Sequence, residues 1–239
     1  MVKMHPYQFN PFELDLLRRV SDKVYLKSEH FEFERYPKIY WGNFDDRTSL
    51  PGYHRINDRN DLDNYDDREF DIDLLGCYYN NKNQDGYIEI YGDRIHECAS
   101  HISTALGLDF IETRSLLQSI VLLHEIGHWF THCCFQINRA QRMEFFGYQT
   151  KDIKETLAQL TVLWATLGLT NSRIKDLREI MDYLTRRQSR PYTQYLKLGK
   201  RYTRKQTILS RYIKLLDMGN CDLEFLLMNN KKPNPHRTY

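Results

Sequence analysis

The run from Val121 to Phe130, Val-Leu-Leu-His-Glu-Ile-Gly-His-Trp-Phe, constrains this chain more than any other stretch. It sets two His and one Glu inside an apolar segment that reads as a buried helix. On a helix, positions i and i+4 lie one turn apart on the same face. His124 and His128 can therefore point their imidazoles at one metal ion. Glu125 projects to the side, within reach of a water on that ion. Two neutral nitrogen ligands, an open position and a carboxylate are what a zinc hydrolase needs. Buried His and Glu are costly unless satisfied, and a metal would satisfy them. A core helix whose histidines are merely hydrogen-bonded is the plainer alternative.

The setting supports a long helix. Asp109 can cap it, with Glu112 three residues on as its capping-box partner. Leu116, Leu117, Ile120, Leu123 and Gly127 then recur at helical spacing. The motif lies about four turns in.

Upstream, Phe12 to Val20 suggests a short first helix. Val24 to Leu26, Phe31 to Glu34 and Lys38 to Trp41 read as short strands. Residues 43–71 are polar and acidic. Counted from Asp61, they put Tyr65, Asp66 and Ile72 where a calcium loop needs an oxygen ligand, Gly and Glu, so a calcium site is not supported. Ile72 to Tyr79 and Tyr87 to Tyr91 form an expected hairpin, with Asp85-Gly86 as its turn. A helix from Asp93 to about Leu106 ends at Gly107. Downstream, helices are expected over Lys154 to Leu167, Ser172 to Arg187, Lys205 to Leu216 and Asp222 to Met228, with Pro191 a break. The expected fold is α+β: a small, mostly antiparallel N-terminal sheet, the motif helix, then a helical C-terminal half. Three stretches of one compact unit are expected: 1–71, 72–190 as the core, and 191–239 as a basic extension.

A hydrolytic zinc site has three protein ligands. Glu155, in Lys-Glu-Thr-Leu-Ala-Gln, lies on the next helix, where the small Thr156 and Ala158 permit close packing. Cys134 is the other candidate, at the third-His place of H-E-x-x-H-x-x-G-x-x-H. That pattern needs a helix-breaking Gly, and Thr131 stands there, so a continuous helix carries Cys134 away. Glu155 is favoured. His132 is rotated about 80° from His124, which suits a supporting or exposed residue better than a ligand. His96 and His101 read as ordinary helix residues.

His124-Glu125-Ile126-Gly127-His128, followed by Glu155-Thr156-Leu157-Ala158-Gln159, resembles the gluzincin branch of the zincin metallopeptidases. The compact minigluzincins and ImmA/IrrE-like peptidases are the nearest in type. The resemblance covers roughly residues 72–168. It implies a Zn2+ ion on His124, His128 and Glu155, Glu125 as general base, and a peptide or protein substrate. It also implies an edge strand that binds substrate in extended form, with Tyr87, Ile88, Glu89, Ile90 and Tyr91 as that strand. An oxyanion-stabilising residue is expected, with Tyr148 and Tyr183 as candidates. A catalytically weak, zincin-like binding or regulatory protein is the alternative.

Charge is distributed unevenly. Residues 1–100 hold 13 Lys+Arg against 20 Asp+Glu, whereas residues 171–239 hold 16 against 6. The two ends can attract each other, or the tail can take an anionic partner. Residues 186–205 interleave eight cations with Tyr192, Tyr195 and Tyr202, so a nucleic-acid surface is one reading and a solvated face the other. Five irregularly spaced Cys argue against a disulfide framework. No membrane span and no leader pattern is read, so a cytoplasmic protein is expected.

Overall fold

The computed structural model describes residues 5–24, 37–43, 75–81, 84–133, 149–217 and 223–227. These parts are α+β and mainly helical, with one small mixed sheet. Its strands are β1 (His5–Pro6), β2 (Lys38–Gly42), β3 (Gly76–Asn81) and β4 (Gln84–Tyr91), in the order β1-β2-β4-β3. β1 and β3 run antiparallel to their neighbours. β2 runs parallel to β4, from Lys38 opposite Tyr87 to Gly42 opposite Tyr91. That parallel pair is not legible in local sequence, because it depends on the crossover between the strands.

The topology corrects two expectations. Tyr87, Ile88, Glu89, Ile90 and Tyr91 do not form an edge: they pair with β2 on one side and β3 on the other. Their backbone is committed to the sheet, and Ile88, Glu89, Ile90 and Tyr91 are buried. β3 lies outermost on this side among the described strands. Asp85 and Gly86 are not the hairpin turn either. They lie within β4, and Asn81 pairs with Gln84.

Helix α1 (Pro11–Val24) begins with a reciprocal cap. The Glu13 amide donates to Asn10 Oδ1 at 2.9 Å, and the Asn10 amide donates to Glu13 Oε2 at 2.9 Å. The helix extends through Val24, and the other residues of the strand expected at Val24 to Leu26 lie outside the described residues. The expected strand at Phe31 to Glu34, residues 44–71 of the acidic stretch and Tyr148 lie outside the described residues. Helix α2 (Gly92–Leu106) stops at Gly107, whose φ of 67° is the left-handed value that Gly tolerates. Helix α3 (Phe110–Cys133) carries the motif, and its Glu112 amide is capped by Asp109 Oδ1 at 2.8 Å.

Helix α4 (Lys151–Thr166) starts about a turn earlier than its apolar pattern suggests, and α5 spans Ser172–Thr185. Pro191 does not end a helix. It sits in the first turn of the short α6 (Arg190–Thr193), where a missing amide hydrogen costs nothing. A 3-10 segment (Gln194–Thr203), α7 (Lys205–Asp217) and α8 (Leu223–Leu227) complete the described chain.

One hydrophobic core draws on elements from Tyr7 to Leu227, so the described parts of the three expected stretches share a single interior. Long-range bonds tie them. Arg19 Nε and Nη2 donate to the carbonyls of Ala165 and Leu167 at 3.0 and 2.8 Å. Trp164 Nε1 donates to the Tyr202 carbonyl at 2.7 Å. Tyr212 Oη donates to the Thr131 carbonyl at 3.1 Å, covering a backbone acceptor near the end of α3. Among the described residues, no helix is long and apolar enough to cross a membrane.

Candidate metal centre

The motif helix is buried on every side: all residues from Ile120 to His132 lie in the interior. Its polar groups therefore need partners inside the protein. Helix α4 supplies one. A Cβ on Gly127 would stand 2.7 Å from Ala158 Cα and 2.9 Å from Thr161 Oγ1. Only a residue without a side chain lets the two backbones approach so closely. Glu155 lies one turn before Ala158 and is carried onto the histidines.

Three donor atoms meet there. His124 Nε2 lies 3.0 Å from Glu155 Oε2, His128 Nε2 lies 3.1 Å from His124 Nε2, and His128 Nε2 lies 3.3 Å from Glu155 Oε2. A hydrogen-bonded chain through three groups needs two short edges, and here the third edge closes as well. Ligands about 2.0–2.1 Å from a tetrahedral ion stand roughly 3.3–3.4 Å apart, so the triangle fits one face of such a site with slight contraction. His124, His128 and Glu155 are thus the residues that could hold a metal ion. Burial alone would raise the Glu155 carboxyl, but His128 and His124 outweigh it and hold the group well below the usual carboxylate range. The carboxylate stays charged beside the two imidazoles.

Glu125 shares the cluster in a different way. One of its oxygens lies within 4.8 Å of ligand atoms of His124 and His128. By that spacing His124, Glu125 and His128 also form a buried group that could hold a metal ion, and Glu155 adds contacts of 3.0 and 3.3 Å to the two imidazoles. Strand β3 packs directly over it: a Cβ on Gly76 would lie 3.4 Å from Glu125 Cγ and 2.7 Å from Val121 Cγ1. Gly76 therefore brings the outer strand onto the carboxylate.

No protein-family model, curated protein or solved structure matches this chain. What the centre can do rests on its own residues.

Two neighbours of the centre were not assigned from sequence. Tyr78, two residues along β3 from Gly76, bonds through its hydroxyl to His132 Nδ1 at 2.6 Å. His132 is buried rather than exposed, one turn beyond His128. The ring of Tyr78 lies across Gly86, where any Cβ would collide with it. Tyr192 is the second. It is fully buried, its ring centroid is 6.0 Å from that of His124, and Lys151 Nζ stands 5.0 Å from the Tyr192 centroid. No local signal marks either residue, because each arrives from a separate element.

The remaining candidates fall elsewhere. Tyr183 stacks beneath the Arg187 guanidinium, 3.7 Å from its ring centroid. His96 and His101 are exposed on α2 as expected. Helix α3 continues through Thr131 and Cys133, as the missing Gly implies, and Cys134 lies just outside the described residues. Cys77 and Cys98 are not joined in disulfides.

Proposed function

We propose that this chain is a zinc-dependent peptidase of gluzincin type. The observation that carries the reading is the closed triangle of His124 Nε2, His128 Nε2 and Glu155 Oε2, with Glu125 beside it. Two imidazoles and one carboxylate are the donor set of an open, hydrolytic zinc site, whereas closed structural sites are richer in thiolate. Zinc, when bound, would supply a Lewis-acid centre that acidifies water and polarises a carbonyl.

The chain's own residues do the rest. Glu125 is the general base: it takes a proton from the attacking water and passes it to the leaving amine as the peptide bond breaks. Burial beside Val121, Gly76 and the histidines keeps that carboxylate out of bulk water. Strand β3, rather than β4, is the strand that an extended peptide would join, because its outer side is not engaged by another described strand and Gly76 sets it against Glu125.

Burial also favours a second reading. His124 and Glu125 are 0% and 1% exposed. A centre so enclosed suits a zincin-like protein in which the metal supports binding or regulation and turnover is weak. One experiment separates the two. Purified protein is expected to carry about one zinc, since one donor set is present. It is also expected to cleave members of a broad peptide library, while Glu125→Gln keeps the zinc and loses hydrolysis by about 10²–10⁴-fold. Zinc retention with no cleavage by the unmodified chain favours the binding reading, and absence of zinc removes both.

A further inference from the structure

Between Asp182 and Asp217 the chain has no Asp or Glu, against ten Lys and Arg. The structure sorts this stretch by depth. Tyr192, Tyr195, Leu198, Ile208, Leu209, Tyr212 and Leu215 go inside. Arg186, Arg187, Arg190, Lys197, Lys200 and Arg204 are exposed. Local contacts explain part of this charge. Arg186 and Arg187 lie at the C-terminus of α5, where cations are favoured. Arg201 bonds the carbonyls of Leu198 and Lys197 at 3.0 and 2.7 Å.

Lys197, Lys200 and Arg204 add exposed charge to these. Arg201 and Arg204 stand close enough to Arg211 that, after partial burial, their charges lower its hold on its proton. Lys197 and Lys200 flank Gly199, whose φ of 51° turns the segment between them. The first turn of α7 holds no acidic residue to offset them. Like charges held together cost stability, and an anion removes that cost.

The platform is anchored to the rest of the fold by hydrogen bonds. Trp164 holds the Tyr202 carbonyl, Thr185 bonds the Tyr195 hydroxyl at 2.8 Å, and Tyr212 is bonded to Thr131 and Gln149. Cations fixed on an anchored surface need little reordering to meet a regular row of phosphates.

We propose that Lys197, Lys200, Arg201 and Arg204 form a surface that binds the phosphate backbone of duplex nucleic acid without reading its sequence. Base stacking needs exposed rings; Tyr192 and Tyr195 are in the core and Tyr202 is half-buried, which disfavours a single strand. A membrane surface is disfavoured because Leu196 is the one exposed large apolar side chain in the stretch among the described residues. This surface is independent of the metal reading.

Anisotropy of a labelled random-sequence duplex, titrated with the whole chain over a salt series, tests it. Lys197→Gln, Lys200→Gln and Arg204→Gln together change only exposed side chains. At low salt the combined variant is expected to bind at least about tenfold more weakly. Its salt slope should flatten by about 2.7, at about 0.9 per lost phosphate contact. Its melting temperature and zinc content are expected to stay unchanged. Three results overturn the proposal: no salt-sensitive binding by the unmodified chain, a variant that binds equally well, or tighter association with phosphatidylserine vesicles or a single strand than with the duplex.

Discussion

Ala158 Cα stands 2.7 Å from the point a Cβ on Gly127 would occupy, so the two helices that build the candidate metal centre touch backbone to backbone. Gly127→Ala sets two effects against each other. Ala gains up to about 1 kcal/mol in helix propensity. Overpacking costs about 1–3 kcal/mol, and backbone yields less readily than a flexible side chain. The clash wins, and it pushes Glu155 off the histidines. Thermal melting is expected to show lower stability, and chelator competition weaker zinc binding. A variant with a raised melting temperature and unchanged zinc affinity would mean that the helices do not meet there.

Glu155 and Cys134 are separable as third ligands. Glu155→Ala is expected to weaken zinc by more than about 100-fold, since even outer-shell partners of a metal cost 10–100-fold. Cys134→Ser is expected to leave zinc unchanged. Metal analysis after dialysis reads both. Loss of zinc from the Cys134 variant with retention by the Glu155 variant would reverse the assignment.

The bond from Tyr78 to His132 joins the outer strand to the motif helix. Tyr78→Phe is expected to cost about 1 kcal/mol, the usual net worth of one such bond. Gly86→Val drives a side chain into the Tyr78 ring and is expected to cost more. Because both act through one contact, Tyr78→Ala should relieve much of the Gly86→Val penalty, and a double-mutant cycle by denaturant unfolding measures that coupling. Strictly additive losses would mean that the ring does not lie over Gly86.

Alkaline pH should weaken the fold through Tyr7. Burial, then the charge of Glu13, pushes its hydroxyl well above the ordinary value. The hydroxyl donates to Glu13 Oε1 at 2.5 Å and accepts from Gln118 Nε2 at 2.5 Å. Its folded pKa is raised, so its contribution is complete below the unfolded value of about 10 and is lost as pH climbs beyond it. Tyr7→Phe is expected to lower stability near neutrality by about 1 kcal/mol. It should also reduce the loss above about pH 10, as measured by urea midpoints across pH. An unaltered alkaline slope in that variant would assign the effect to another group.

The sequence by itself determined the elements whose causes are local. Asp109 and the apolar spacing from Leu116 to Gly127 fix α3, and i,i+4 geometry alone sets His124 and His128 on one face with Glu125 beside them. Thr131, in place of a Gly, lets that helix run on toward Cys134. The small residues on α4 indicated a close approach, and Glu155 followed from it. Tertiary structure decided what depends on elements distant in the chain. β4 looks like an edge because its alternation is clean, yet alternation reports side-chain faces and is silent on which backbone edges are paired. The pairing with β2 arrives by a crossover no local pattern encodes, and it hands the outer position to β3. The same holds for Tyr78 and Tyr192. Their residue types are ordinary, and only the packing of β3 against α3 and of α6 against α4 brings them to the centre. The tyrosines of residues 186–205 looked available for stacking because basic neighbours made the stretch appear exposed. Helical and 3-10 geometry instead turns Tyr192 and Tyr195 inward and the cations outward, since burying a ring is favourable and burying an unpaired charge is not.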